Sequence, residues 1–358
     1  MTKYNIPGWQ SWSPHKTPFL RLPSYLYSPH GINHWLIEKQ ESPKKPIKGW
    51  CSWYAYGENI SEEKILLNAI KINDFFSGSD KKYTLVDDGW TKCGDWKTYS
   101  SKRFPKGMKN LSQRIKHLGL KPGLWIAPFW VDPKSILAAK HPEYLVKTRR
   151  YIEGFPLLPF SIPFFKFRYI INMENPKVVS YLKNCIKTIV EDWGFELIKL
   201  DFLNSIYFNP KYKNSEVPDR ILNEFLTWIR KTYPNVYTIG CGCPLGPAVG
   251  MVDAMRISAD IVNPYLQNIW PINTFFSSRR LSILEKNLKH RKHFSKIWSI
   301  DPDVFVSSKS NGLSKKQVDK LYKLTVGAKG VFFLGDDLTK INFDSWDIRK
   351  SPALRENI

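Results

Sequence analysis

The stretch Tyr83-Thr84-Leu85-Val86-Asp87-Asp88-Gly89 changes abruptly from aromatic and β-branched residues to carboxylates and glycine. An apolar run of this kind favours a strand that is buried on both faces, as strands are in a parallel sheet covered by helices. The polar residues that follow then lie in the loop at the carboxyl end of the strand. This stretch therefore predicts an α/β protein that places carboxylates at one end of a parallel sheet.

Seven further runs resemble this stretch, and amphipathic helical patterns lie between most of them. Eight strands that alternate with helices predict a (β/α)8 TIM barrel, with an open parallel sheet as the alternative. The expected strands are 49–54, 83–90, 122–129, 197–203, 236–241, 254–260, 297–304 and 330–336. The expected helices are 61–76, 107–118, 175–194, 219–233, 274–288 and 314–326.

Two connections depart from a regular barrel. Only a short loop rich in Pro and Gly separates the fifth run from the sixth, which leaves no room for a full helix. The connection after the third run is long and contains a segment rich in Pro and Phe at 154–169. We expect the barrel to occupy residues 47–358 and residues 1–46 to form an extension that packs on it.

The formal net charge of +22 invites an interpretation as a nucleic-acid-binding protein. The cations are mostly lysines spread from Lys3 to Lys350, with modest clusters and no accompanying nucleic-acid-binding motif. A solvated basic surface is the simpler interpretation, and attraction to an acidic polymer is the alternative. We therefore expect no nucleic-acid partner.

The cysteines show neither the spacing of zinc ligands nor that of a disulfide framework. The N-terminus lacks a charged segment followed by an apolar one, and no uninterrupted run of about 18 apolar residues occurs. These features predict a cytoplasmic protein without a membrane partner, and they leave a homo-oligomer open.

Polar and aromatic residues concentrate within or just past the C-terminal halves of the eight runs. In a (β/α)8 barrel that rim carries the active site. Asp201 and Asp260 stand out there, because two carboxylates that face one cavity can cleave a glycosidic bond. A salt bridge at the barrel rim is the alternative for either of them. The rim residues are Trp53, Asp87, Asp88, Trp125, Lys199, Asp201, Cys241, Arg256, Asp260, Asp301 and Asp303.

Several short strings around these residues recur in one known family. They include Gly49-Trp50-Cys51-Ser52-Trp53-Tyr54, Asp87-Asp88-Gly89-Trp90, Gly94-Asp95-Trp96, Lys199-Leu200-Asp201-Phe202-Leu203, Gly240-Cys241-Gly242-Cys243-Pro244, Arg256-Ile257-Ser258-Ala259-Asp260 and Asp301-Pro302-Asp303. Each is weak alone, but together, in order and at barrel spacing, they are specific. On these strings the chain resembles glycoside hydrolase family 36, the α-galactosidases of the melibiase clan.

The resemblance implies a retaining α-galactosidase in which Asp201 is the nucleophile and Asp260 the general acid/base. It implies that Asp87 and Asp88 hold O4 and O6 of galactose, and that no metal or organic cofactor is needed. Family members usually carry flanking β-domains, whereas here we expect a short N-terminal extension and little or no C-terminal β-domain, which is a departure from the family pattern. Further residues implied to contact the sugar or form the walls of its subsite are Lys199, Cys241, Arg256, Trp53, Tyr54, Trp125 and Trp12.

Retention requires an ionised carboxylate and a protonated carboxyl group, so their pKa values must differ. Lys199, two residues before Asp201, shares its side of the strand and would favour the ionised form of Asp201. A neighbouring Arg256 would lower the pKa of Asp260, the wrong direction for an acid. We therefore expect Arg256 to point at substrate or at another carboxylate, and Asp301 and Asp303 to orient Arg256 and its loop.

Other interpretations stay open at this point. Asp87 and Asp88 could cap a loop, the tryptophans could be core residues, and Cys241 could be a small buried thiol. The same site could transfer galactose to a sugar acceptor, as in raffinose synthase, or prefer an N-acetyl group at C2. A catalytically idle sugar-binding relative is the alternative from another class.

Overall fold

The computed structural model describes residues 45–76, 81–146, 151–153, 166–209, 211–212, 216–262, 272–307 and 313–341. Within these ranges, twelve strands form two sheets. The strands are β1 (Lys48–Cys51), β2 (Lys82–Val86), β3 (Lys121–Ile126), β4 (Trp130–Val131), β5 (Tyr151–Glu153), β6 (Lys166–Ile170), β7 (Leu197–Leu200), β8 (Tyr237–Gly240), β9 (Ala254–Arg256), β10 (Ser299–Asp301), β11 (Val304–Phe305) and β12 (Phe332–Leu334).

The main sheet is parallel and closes on itself. Its strand order is β10-β9-β8-β7-β3-β2-β1-β12-β11, and only Pro302 and Asp303 separate β10 from β11 along the chain. The backbone N–H of Val331, just before β12, donates to the carbonyl of Ile300 in β10 at 2.8 Å. β10 and β11 are therefore two halves of the seventh barrel strand. The predicted (β/α)8 barrel is confirmed, and the open-sheet alternative is wrong.

The predicted helices are present with small shifts at their ends, and the helix predicted at 175–194 continues beyond its α-helical part as a π-helical turn at Thr188–Asp192. Ser61 caps α2 by accepting from the backbone of Lys64, and Ser314 forms a capping box with Gln317 at the start of α8. The helices of the described residues are α1 (Trp53–Tyr56), α2 (Glu62–Phe75), α3 (Gly107–His117), α4 (Ile136–Lys140), α5 (Pro176–Lys187), α6 (Glu216–Thr232), α7 (Ile272–Arg291) and α8 (Lys315–Gly327).

Several strands are shorter than predicted, because side chains take over the backbone hydrogen bonds at their ends. After β2, the backbone N–H of Asp88 donates to Oδ1 of Asp87, and that of Gly89 donates to Oδ1 of Asp88. Such local bonds turn the chain out of the sheet. Likewise β1 ends at Cys51 and the chain enters α1, so Trp53 and Tyr54 lie on a short helix instead of the predicted strand.

Of the two irregular connections, one is short and lacks a full helix and the other is long, as predicted. Between β8 and β9 the described chain contains only a short 3-10 turn at Gly246–Ala248. After β3, the strands β4, β6 and β5 form a small antiparallel sheet, and residues 154–165 of this connection lie outside the described residues.

No helix among the described residues is long and apolar enough to cross a membrane. The extension predicted at residues 1–46 lies outside the described residues except for its last two. Its packing on the barrel therefore stays a prediction.

Candidate active site

The predicted rim residues lie at or just beyond the carboxyl ends of the barrel strands. Trp12, which the resemblance adds to the site, lies outside the described residues, and its place in the site stays a prediction. The rim carries two clusters of contacts, one around Asp201 and one around Asp260.

Asp201 follows β7 directly, and both oxygens of its carboxylate accept hydrogen bonds from neutral N–H groups. The indole Nε1 of Trp125, on the neighbouring strand β3, donates to Oδ2 at 2.9 Å. The backbone N–H of Phe202 donates to Oδ1 at 2.7 Å, and Phe202 adopts a left-handed conformation with φ of 52°. The carboxylate is therefore held from two sides at the point where the chain turns away from the sheet.

The thiol of Cys241, directly after β8, interacts with the same carboxylate. Burial raises the pKa of Cys241 well above its usual value, and the charge of Asp201 and a hydrogen bond to it raise it further. A neutral thiol can only donate to a carboxylate, so Cys241 is a third neutral donor. We call Asp201, Trp125, Cys241, Lys199 and Asp87 the Asp201 corner.

Lys199 reaches past Asp201 to the end of β2. Its Nζ donates to Oδ2 of Asp87 at 2.9 Å, and both side chains are buried. Burial alone would lower the pKa of Lys199, but attraction to Asp87, and more weakly to Asp201, raises it well above the usual value. The expected attraction between Lys199 and Asp201 is present, yet the direct partner of the ammonium is Asp87, because the long side chain spans the neighbouring strand.

Asp87 and Asp88 are 3% and 6% exposed at the end of β2. Besides Lys199, the Cys51 thiol donates to Oδ2 of Asp87 at 3.3 Å, and Ser52 Oγ accepts from the backbone N–H of Asp87 at 2.9 Å. The two carboxylates do cap their own turn, as the alternative interpretation of the sequence proposes. Both oxygens of Asp87 and Oδ1 of Asp88 accept hydrogen bonds here, and since a carboxylate offers about four acceptor sites, this bonding is compatible with further hydrogen bonds to a ligand.

Asp260 lies at the other side of the rim, in the loop after β9. Nη2 of Arg256 is 3.2 Å from Oδ1 of Asp260 and 2.6 Å from Oδ2 of Asp303. A guanidinium N–H of Arg280 on α7 donates to the backbone carbonyl of Asp260. We call Asp260, Arg256, Asp303, Tyr54 and Arg280 the Asp260 corner. As expected, Arg256 points at another carboxylate, but it also contacts Asp260.

The two carboxylates around Arg256 titrate differently. The partial burial of Asp260 tends to raise its pKa, but Arg256, Lys199 and Arg280 outweigh this effect and lower the pKa. For Asp303, burial raises the pKa to about 6, against the attraction of Arg256. These neighbours favour the ionised form of Asp260, whereas a general acid must carry a proton.

The two corners belong to one site. The ammonium of Lys199 interacts by charge with both Asp201 and Asp260. The thiol of Cys241 interacts in the same way with Asp201 and Arg256. The structure therefore brings the two candidate carboxylates to a common centre at the end of the barrel.

The remaining predicted residues lie around this centre. Tyr54 is buried, and its hydroxyl donates to Oδ2 of Asp303 at 2.5 Å. Trp53 is half-buried and packs against the core. The ring of Trp125 packs edge-on against Trp96 at a centroid distance of 6.0 Å, so the indole that contacts Asp201 is itself supported by an aromatic core.

Sequence reasoning missed some of the residues that hold the site. Arg280 lies on a helix predicted only as an outer layer, and no pattern in the sequence marks it. Cys51, Ser52 and Trp96 occur in the strings that carried the resemblance, but nothing in their residue types indicated hydrogen bonding to Asp87 or support of Trp125. Among the described residues, no group of three or more His, Cys, Asp or Glu side chains could hold a metal ion.

The sequence of this chain is similar to those of several α-galactosidases. The α-galactosidase of Escherichia coli is 23% identical over 168 residues, which cover 44% of this chain and 22% of that protein. The α-galactosidase AgaA of Geobacillus stearothermophilus is 31% identical over 160 residues, which cover 42% of this chain and 20% of that protein. The chain thus spans about a quarter or less of the length of these relatives.

Solved structures share the fold over most of the chain. The α-galactosidase TtGalA of Thermus thermophilus, in complex with p-nitrophenyl α-D-galactopyranoside, superposes with a TM-score of 0.71 at 24% identity, covering 90% of this chain and 64% of that one. The family 36 enzyme AgaA of Geobacillus stearothermophilus gives a TM-score of 0.63 at 16% identity, covering 91% and 44%. The family description "Melibiase" matches residues 50–246, more than half of the 358 residues, and the chain belongs to that family.

Proposed function

We propose that this chain is a retaining α-galactosidase that releases terminal α-D-galactosyl residues from glycosides. The observation that carries the proposal is the convergence of Asp201 and Asp260 on Lys199 at the end of the barrel. Relatives in the family are α-galactosidases, and structural neighbours carry p-nitrophenyl α-D-galactopyranoside or stachyose. Two carboxylates in one cavity are what a double displacement at a sugar carbon requires.

In the proposed reaction, a carboxylate oxygen of Asp201 attacks the anomeric carbon and the bond to the leaving oxygen breaks. Asp260 gives its proton to that oxygen, which leaves a covalent galactosyl ester on Asp201. Asp260 then takes a proton from a water molecule that attacks the same carbon, and the ester bond to Asp201 breaks. The fixed orientation of Asp201 by Trp125 and Phe202 suits the attacking role, since attack requires an aligned oxygen.

Asp260 must gain a proton before the first step. Its side chain is 45% exposed, so a bound sugar would displace water from it. Loss of water disfavours the charged form of a carboxyl group and raises its pKa. Substrate binding would thereby oppose the lowering of the pKa that Arg256, Lys199 and Arg280 produce.

Asp87 and Asp88 are proposed to bind the hydroxyl groups of galactose. Carboxylates accept strong, directional hydrogen bonds from hydroxyls, and a rigid acceptor distinguishes an axial from an equatorial hydroxyl group. Lys199, held by Asp87, adds a donor beside the same hydroxyls.

The decisive test is hydrolysis of p-nitrophenyl α-D-galactopyranoside by the purified chain, with Asp201→Ala as the control. If the wild type is folded yet releases no more nitrophenol than this control, the proposal fails. Proton NMR of the first-formed galactose tests retention, because a β-anomer appearing first would show inversion. Product analysis with a concentrated sugar acceptor, and the N-acetylgalactosaminide as a second substrate, separates transfer and C2 preference from hydrolysis.

A further inference from the structure

The seventh barrel strand is interrupted at a position that faces the Asp260 corner. β10 ends at Asp301, and β11 begins at Val304. Between them Asp303 adopts a φ of 90°, which non-glycine residues rarely take, and its backbone N–H donates to Oδ1 of Asp301 at 2.9 Å. Strained backbone conformations of this kind are concentrated at functional sites, so the position of the Asp303 side chain at the strand break points to a functional role.

The carboxylate of Asp303 is 1% exposed, and its Oδ2 atom collects three groups. The hydroxyl of Tyr54 donates to it at 2.5 Å, and the backbone N–H of Ile261 donates at 2.7 Å. Nη2 of Arg256 lies 2.6 Å away. Because Ile261 directly follows Asp260, this one oxygen fixes both the cation beside Asp260 and the backbone that carries it.

The loop that carries Asp260 is held at other points as well. Nδ2 of Asn287 donates to the carbonyl of Ile257 at 2.7 Å, and Nε of Arg256 donates to that of Ser258 at 3.0 Å. Arg280 donates to the carbonyl of Asp260 itself. In those three contacts a side chain donates to a backbone carbonyl. In the bond to Asp303, the backbone N–H of Ile261 is the donor, so the loop is tied to a negatively charged carboxylate.

We propose that Asp303 is a positioning residue that places Asp260 and divides the charge of Arg256 between two carboxylates. This role rests on the proposed function of Asp260 as acid/base. It also adds a role, because Asp303 acts through Arg256 and Ile261 and needs no contact with the sugar.

The charges around Asp260 support a division of this kind. Among the described residues, the groups that face Asp260 are Arg256 from β9, Lys199 from β7, Arg280 from α7, the Tyr54 hydroxyl from α1 and Asp303 from the strand break. The cations lower the pKa of Asp260, whereas Asp303 draws Arg256 toward itself and repels the second negative charge. Removing the charge of Asp303 would leave Arg256 to act fully on Asp260, so the protonated fraction of Asp260 would fall.

The variant Asp303→Asn tests this, because asparagine keeps the size and an acceptor oxygen but not the charge. The readout is kcat/KM near pH 7 on two substrates with different leaving groups. Methyl α-D-galactopyranoside needs a proton on its leaving oxygen, whereas p-nitrophenolate leaves with little help. We expect kcat/KM for the methyl glycoside to fall by about tenfold for each unit by which the pKa of Asp260 falls. The value for the nitrophenyl glycoside should change little.

Asp253→Asn is the matched control, because Asp253 is likewise buried and pairs with an arginine, Arg230, at 2.7 Å. It precedes β9 at the opposite end of the barrel, so any loss there should be equal for both substrates. If Asp303→Asn likewise lowers both values by one factor, or changes neither, the proposed role of Asp303 is overturned.

A second measurement does not depend on turnover. Carbon-13 NMR of labelled aspartate carboxyl groups, with the Asp260 signal assigned by its loss in Asp260→Asn, gives the pKa of Asp260 in each protein. We expect a lower pKa in Asp303→Asn than in the wild type, and an unchanged or higher one contradicts the inference. If the wild type hydrolyses neither glycoside, the proposed function fails, and this titration still decides whether Asp303 controls Asp260.

Discussion

The Asp201 corner and the Asp260 corner both present a carboxylate at the end of a barrel strand, yet they hold it by different forces. Asp201 accepts hydrogen bonds from neutral groups, the indole of Trp125, the backbone of Phe202 and the thiol of Cys241. Asp260 instead lies 3.2 Å from the guanidinium of Arg256, which it shares with a second, buried carboxylate.

In the proposed mechanism, this difference lets one rim meet two opposite proton requirements. Neutral donors fix the direction of a carboxylate oxygen and change little when a ligand enters. Charges in a partly exposed cluster respond strongly to ligand binding, because displacement of water alters every interaction among them. We therefore propose that the Asp201 corner orients its carboxylate and that the Asp260 corner changes its protonation.

The largest effect is expected for Asp201→Asn. Asparagine keeps the size of the side chain and one acceptor oxygen, so it can still accept from either Trp125 or Phe202, while the attacking oxygen loses its charge. We expect kcat/KM for p-nitrophenyl α-D-galactopyranoside to fall on the order of 10⁴-fold. Azide added to this variant should restore part of the release of nitrophenol and give the β-galactosyl azide. A rate close to that of the wild type would remove Asp201 from the mechanism.

A somewhat smaller loss, which depends on the leaving group, is expected for Asp260→Asn. Loss of the proton donor should lower kcat/KM for disaccharide and alkyl α-galactosides, such as methyl α-D-galactopyranoside, by roughly 10²–10⁴-fold. The loss on the nitrophenyl substrate should be smaller, and the basic limb of its pH profile should move or disappear. Equal losses on both kinds of substrate would mean that the two corners do not divide the work as their contacts suggest.

The sequence predicted the Asp201 corner better than the Asp260 corner, for a physical reason. Strand ends follow from apolar runs that stop at polar residues, so Asp87, Trp125 and Asp201 could be placed on one rim. The partner of Lys199 could not be predicted, because a flexible side chain reaches past its neighbours. Which carboxylate the ammonium of Lys199 contacts depends on distances between strands of the barrel, and the sequence does not give these distances.

At the Asp260 corner, most of the geometry comes from tertiary structure. The strand break at Asp303 and the approach of Arg280 from α7 depend on how the seventh strand and a helix pack, and no local pattern encodes this. The expectation that Arg256 contacts another carboxylate came from the proton requirement of an acid, and the pair with Asp303 agrees with it. The expectation had not included the additional contact with Asp260.

The pH dependence of stability offers a smaller test of the charged corner. Burial, opposed by Arg256, raises the pKa of Asp303 to about 6, above the value of about 3.9 expected in the unfolded chain. A carboxyl group with a raised folded pKa stabilises fully below the unfolded value, and this contribution is lost as the pH rises through the folded value. Between about pH 4 and pH 7, the wild type should therefore lose on the order of 2 kcal/mol relative to Asp303→Asn. Urea unfolding of both proteins across this range measures the gap, and a constant gap would mean that Asp303 ionises as freely as in the unfolded chain.

The smallest effect is expected for Trp125→Phe, which removes one neutral donor from Asp201 and keeps most of the ring. The remaining donors, Phe202 and Cys241, should keep the carboxylate near its place. A hydrogen bond to a charged group contributes about 1.5–3 kcal/mol, so we expect kcat/KM to fall by roughly tenfold or somewhat more. Steady-state kinetics on the nitrophenyl and methyl galactosides measures the loss.

Trp298→Phe is the control for this substitution, because Trp298 is 1% exposed, stacks on Phe294 and precedes β10 at the end of the barrel away from the site. It should change the stability but not the kinetics of the folded protein. The loss in Trp125→Phe should be the same for both leaving groups, since orientation of the attacking oxygen matters equally to both. A loss confined to the methyl galactoside would instead mean that Trp125 acts on proton transfer, and the separation of an orienting corner from a titrating one would fail.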